Sequence, residues 1–73
     1  MKKIDLHGLK HKDAANVIDT FIRQNKHNLP IEIVTGSTHS MKSIVQRVVN
    51  LYGLRMTVKN HKNLGSFIIN NTY

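Results

Sequence analysis

The amino-acid sequence predicts a two-layer α/β sandwich with the element order β-α-β-α-β-β. Three observations carry that expectation. Two stretches place apolar residues at helical period, and each follows a short apolar run of strand type. The last third of the chain holds two further strand-like runs separated by a turn rich in Asn, Lys and Gly. With only two helices available, both are expected to cover one face of the sheet. The 73 residues suit one compact domain, 1–73, with no linker, repeat or low-complexity segment. A chain this short buries only roughly 60% of its unfolded surface, so its core has to be regular.

Lys3 to Leu6 reads as the first strand, bounded by Gly8. Asp13 to Gln24 reads as the first helix, because Ala14, Val17, Ile18, Phe21 and Ile22 fall on one stripe. Asp13 suits the positive end of the helix dipole, and Arg23 and Lys26 suit the negative end. Asn25 to Pro30 is polar and contains the only proline, so it reads as a connection. Ile31 to Thr35 is nearly continuous in apolar residues, as expected of a central strand, and Gly36 ends it.

The second helix is expected from about Ser40 to Tyr52. Met41, Ile44, Val45, Val48 and Tyr52 share a face, Ser40 stands where an N-cap belongs, and Gly53 where a C-terminal glycine cap belongs. Leu54 to Lys59 alternates polar and apolar residues as a third strand. Asn60 to Gly65 reads as a turn, and Ser66 to Asn70 as a fourth strand paired with the third. Right-handed crossovers make the first two strands parallel.

Composition narrows the function classes. Eleven Lys and Arg against four Asp and Glu give a formal charge of +7, which favours polyanions, nucleic acid before anionic membrane. The cations are scattered, and no helix sets them against bulky interfacial aromatics, so a membrane surface is not expected. No apolar run approaches the roughly 20 residues that span a bilayer. Asp5 and His7 interrupt any signal-peptide core. The absence of cysteine removes disulfides, thiol nucleophiles and thiolate metal sites, and agrees with a reducing, cytoplasmic setting.

Two stretches could carry chemistry. In a parallel α/β sheet, ligands bind at the carboxyl ends of strands. The first strand ends in Asp5-Leu6-His7-Gly8 and the second in Val34-Thr35-Gly36-Ser37-Thr38, so neighbouring strands would set these ends side by side. Alternation puts Asp5 and His7 on one face and Leu6 on the other. An acid and a histidine placed so can act on a common substrate, or Asp5 can simply bond a backbone N–H. Thr35 through Ser40 leads into a helix N-terminus, where free N–H groups, small hydroxyls and Lys42 would suit a phosphate. His7 and His11 have i, i+4 spacing, but Gly8 intervenes, so no metal pair is expected. His27 and His61 read as surface residues, and His39 lies close enough to the loop to reach a phosphate.

Together these residues resemble the small MutS-related (Smr) domain family. Ile4-Asp5-Leu6-His7-Gly8, followed by Leu9, is similar to its first motif, an apolar residue followed by Asp-x-His-Gly. Ile33-Val34-Thr35-Gly36-Ser37-Thr38 occupies the place of its second, an apolar strand followed by Gly-x-Gly, with Thr38 where the second glycine usually stands. Leu64-Gly65-Ser66-Phe67-Ile68-Ile69 loosely matches a glycine-rich turn before a last apolar strand. Lys10-His11-Lys12-Asp13 replaces a more acidic helix start and makes the region more basic.

The resemblance covers essentially the whole chain and implies a fold similar to the C-terminal domain of bacterial translation initiation factor three. It also implies nucleic-acid binding with endonuclease activity on RNA or DNA. Asp5 and His7 would be catalytic. Gly8, Lys10, Lys12, Thr35, Gly36, Ser37, Thr38, His39 and Lys42 would bind the nucleic acid. His7 would serve as general acid or base, since histidine ordinarily titrates near neutrality. RNA carries its own 2′-hydroxyl nucleophile and requires no metal. On DNA, water must attack, and one divalent ion such as Mg²⁺ is the most that so few carboxylates could hold. The alternative is a non-catalytic module that recognises backbone and shape. Phe21 and Phe67 read as core, which leaves Tyr52 and Tyr73 as stacking candidates. A larger protein partner would supply specificity to a free-standing domain of this family; oligomeric state stays open.

Overall fold

The computed structural model describes residues 1–72. Its elements are β1 (Lys3–Asp5), α1 (His11–Asn25), β2 (Ile31–Val34), α2 (His39–Leu51), β3 (Arg55–Asn60) and β4 (Asn63–Asn70), in the expected order. They form a two-layer α/β sandwich. The four-stranded sheet has the order β1-β2-β4-β3. β1 and β2 are parallel, with Ile4 opposite Ile33. β4 is antiparallel to both β2 and β3, and its Phe67 pairs with Ile33 on one side and Val58 on the other.

The pleat alternates inward and outward residues. Ile31, Ile33, Phe67 and Ile69 are buried from the sheet, against Ala14, Ile18 and Ile22 of α1 and Met41, Val45, Val48 and Val49 of α2. Leu6, just past β1, completes this core. It also extends the β1 pairing, since its N–H donates to the Val34 carbonyl at 2.8 Å. Among the described residues, no buried side-chain nitrogen or oxygen lacks a hydrogen-bond partner.

Glu32 and Ser66 lie on the opposite face of the sheet yet are buried. The Ser66 hydroxyl donates a hydrogen bond to the Glu32 carboxylate. The Lys59 ammonium reaches the same carboxylate at 3.3 Å. The Ser66 bond is the main reason Glu32 titrates below the ordinary carboxylate range. Burial opposes that shift, and Lys59 and Lys3 reinforce it.

Several element ends differ from expectation. α1 begins at His11 rather than Asp13, with Lys10 in extended geometry ahead of it. α2 begins at His39, which puts Ser40 inside its first turn and Thr38 at the N-cap, and the Thr38 side chain makes no capping bond. Asn25 belongs to α1, where its amide donates to the Phe21 carbonyl at 2.8 Å. Gly53 follows α2 in left-handed geometry, as expected of a cap. The largest difference is at the hairpin. β4 starts at Asn63, so Gly65 lies within the strand and the turn shrinks to His61 and Lys62.

Candidate functional site

The parallel pair determines where the loops meet. β1 and β2 point the same way, and β4 runs against β2 with Ser66 opposite Val34. The carboxyl ends of β1 and β2, the start of β4 and the β3–β4 turn therefore share one edge of the sheet. The N-termini of α1 and α2 reach that edge as well, because each helix follows a strand that ends there.

The first loop is a tight turn. Leu9 N–H donates to the Leu6 carbonyl at 2.9 Å, with Gly8 at φ +83° between them. Asp5 holds its entry: its Oδ1 accepts the backbone N–H of His7 at 2.8 Å. The carboxylate thus bonds the main chain of His7. Asp5 and His7 are both exposed.

The second loop is pinned to β4. The N–H groups of Thr35 and Gly36 both donate to the Gly65 carbonyl, at 2.7 and 3.2 Å. Thr35 is buried, and its hydroxyl donates to the carbonyls of Gly36 at 3.0 Å and Gly65 at 3.3 Å. Thr35 therefore builds the loop, while Ser37, Thr38 and His39 are exposed on it. Gly36 has φ +73°, where a side chain is strained, and a Cβ there would stand 3.4 Å from Cδ2 of His7. The His7 ring thus lies against the second loop, and the expected neighbouring of the two strand ends is realised.

Two clefts open on this edge. One, of about 620 Å³, is lined by His7, Gly8, Lys10 and His11 on one side and by Ser37 and Thr38 on the other. The second, of about 710 Å³, runs from Gly36, Thr38 and Lys42 to His61 and Lys62. Ser37 and Thr38 form the ridge between them. Lys42 stands over the buried Phe67 ring, its ammonium 5.7 Å from the centroid, a cation–π contact that seats its stem. Lys12, exposed in the first turn of α1, adds charge beside the first cleft.

His11, His61 and Lys62 are site-lining residues that sequence reasoning passed over. The sequence marks His11 as part of a basic helix start and as a poor metal partner for His7, and neither reading places it in the cleft wall. His61 and Lys62 reach the cleft because the hairpin register carries the turn past the end of β2, and no local pattern reveals that register. Among the aromatic residues, Phe67 is buried and Phe21 packs on the core. The Tyr52 hydroxyl donates to Asp19 at 2.6 Å, which ties α2 to α1 and leaves the ring unavailable for stacking at the clefts. Tyr73 lies outside the described residues.

The donor set does not suit a protein-held divalent ion. Among the described residues no three of His, Asp and Glu come close enough to hold one. The carboxylate best placed for it, Asp5, is already bonded to the His7 amide.

Compared with models of protein families, with curated proteins and with solved structures, the chain matches none.

Proposed function

We propose that this chain binds nucleic acid through its phosphate backbone, at the rim formed by the two clefts. One observation carries the reading. Lys10, Lys42 and Lys62 line the two clefts together with His7, His11, His39 and His61, around exposed Ser37 and Thr38, and Lys12 follows His11 in the first turn of α1. The acids on this edge are Asp5, engaged by the His7 amide, and Asp13 in the first turn of α1. The uncapped start of α2 adds main-chain N–H groups to the same place. Backbone contacts suit this surface better than stacking, because its exposed side chains are cations, histidines and hydroxyls.

The experiment is anisotropy of labelled single-stranded RNA and duplex DNA across a salt series. Affinity should fall steeply with salt. Lys42→Gln and Lys62→Gln should each flatten the slope by about one and weaken all sequences alike. Binding that barely responds to salt would overturn the proposal in favour of a protein-interaction domain.

A second reading, cleavage of RNA or DNA, is favoured by the position of His7. Its ring lies against Gly36, where the two loops meet, so a phosphodiester bridging the clefts would lie within its reach. His7 would then move the proton of the attacking or leaving oxygen, and the lysines would hold the charge that develops on phosphate. Asp5 would act by holding the His7 main chain. Labelled RNA and supercoiled DNA, incubated with wild type and His7→Ala, with Mg²⁺ and with EDTA, test this. Cleavage lost in His7→Ala supports it, and tight binding without cleavage in any lane removes it.

A further inference from the structure

We infer that the exposed face of α2 reads base edges in the major groove of duplex DNA. This rests on the nucleic-acid reading of the rim and extends it from backbone to sequence. The 13 residues of α2 contain no Asp or Glu. His39, Ser43, Gln46 and Asn50 recur at i, i+4, i+7 and i+11, so they form one line along the outer face. Lys42 and Arg47 flank that line on opposite sides. A central row of hydrogen-bonding side chains between two cations is the arrangement a groove asks for, with base edges in the middle and phosphates on either side.

The chemistry of the row is specific. The Gln46 amide donates to Oδ1 of Asn50 at 2.9 Å, which holds two long polar side chains in one orientation. That bond leaves the Gln46 oxygen and the other amide hydrogens of the pair to bond elsewhere, and side-chain amides pair bidentately with adenine. Arg47 is suited to guanine or to a phosphate. Leu51, 81% exposed, lies one turn after Arg47 on the flank of this row and borders the same surface.

A groove of about 470 Å³ runs along this face. His39 and Lys42 line both it and the rim cleft, so the two surfaces are continuous. Phosphate bound at the start of α2 would therefore lead the helix into the groove beside it. A helix with its side chains is about 10–12 Å across, which fits the roughly 12 Å major groove of B-form DNA. The deep, narrow major groove of A-form RNA excludes it, which is why the partner is DNA.

The test is selection from duplex DNA with a randomised centre. The affinities of the enriched duplex, a scrambled duplex and the same duplex as RNA then follow, for wild type, Gln46→Ala/Asn50→Ala and Lys10→Gln/Lys12→Gln. Folding of each variant is checked by circular dichroism. Wild type should prefer the enriched over the scrambled duplex at least about tenfold. Gln46→Ala/Asn50→Ala should lose most of that ratio, while the lysine variant should weaken both duplexes by the same factor and keep it. An unchanged ratio in Gln46→Ala/Asn50→Ala overturns the inference, as does equal or tighter binding of the RNA duplex. Wild type that binds every duplex equally overturns the base reading alone. Wild type that binds no nucleic acid overturns the rim reading with it.

Discussion

Gly65 lies on the main chain of Gly36: a Cβ at 65 would stand 2.5 Å from the Gly36 carbonyl oxygen and 2.8 Å from its carbon. The atoms it would meet are backbone, so they cannot swing aside. The same contact brings the Gly65 carbonyl to the N–H groups of Thr35 and Gly36. Gly65→Ala should therefore push the second loop off β4, at a cost of about 2 kcal/mol or more. Chemical denaturation should show the lower midpoint, and nucleic-acid affinity should fall with it. An unchanged midpoint would mean that the loop yields freely.

Acid sensitivity should trace to Glu32. Its carboxyl titrates below the ordinary value of 4.5 in the folded state, chiefly through Ser66. Its contribution to stability is thus complete above pH 4.5 and is lost as pH falls through the lower folded value. Ser66→Ala should remove the largest cause of that shift and lower the melting temperature at neutral pH. Glu32→Gln should flatten the loss of melting temperature as pH falls below 4.5. A melting curve in that range unaffected by Glu32→Gln would assign acid unfolding to other carboxylates.

Alkaline behaviour should follow Tyr52. Its hydrogen bond to Asp19 holds the phenol above its usual 10.0, with burial and the Asp19 charge acting in the same direction. A group raised in this way stabilises the fold below its ordinary value, and the contribution fades as pH climbs through the folded one. Tyr52→Phe should delete a tyrosinate absorbance step lying above pH 10.0. It should also loosen the α1–α2 packing that the bond spans. A deleted step at or below the ordinary value would show that the bond is not kept in solution.

The role of Asp5 separates on two substitutions. Its Oδ1 accepts the His7 amide at 2.8 Å, and an asparagine oxygen can accept the same bond. Asp5→Asn should keep the turn and most nucleic-acid binding. Asp5→Ala should lose about 1 kcal/mol of stability along with the position of His7. If cleavage is present and Asp5→Asn abolishes it while binding survives, the carboxylate charge, and not its hold on the turn, is what the reaction needs.

Much of this arrangement was legible in the sequence because its signals are periodic. The stripes through Ala14–Ile22 and Met41–Val48 produce helices on one sheet face, and the strand ends at Asp5 and Val34 then meet by topology. Helix starts are harder to read: Lys10 is not a capping residue type, and Thr38 stands two residues before Ser40, which is just as good a cap by type. Gly65 resembled a turn residue among Asn and Lys, whereas it is glycine because another backbone crosses it. That misreading hid His61 and Lys62, whose place at the cleft depends on hairpin register. Glu32 sat unnoticed in an apolar strand, since only the pairing of β2 with β4 brings Ser66 to it.

The rim draws on the β1–α1 loop, the β2–α2 loop with the first turn of α2, and the β3–β4 hairpin, which approach one another only across the assembled sheet. A nucleic acid spanning them would act as a removable staple. It would find no counterpart on the unfolded chain, so each tenfold rise in its concentration above Kd would add about 1.4 kcal/mol to the folded state. In a domain with so little interior, occupancy would then set how long each molecule survives proteolysis, and unbound copies would be the first to disappear.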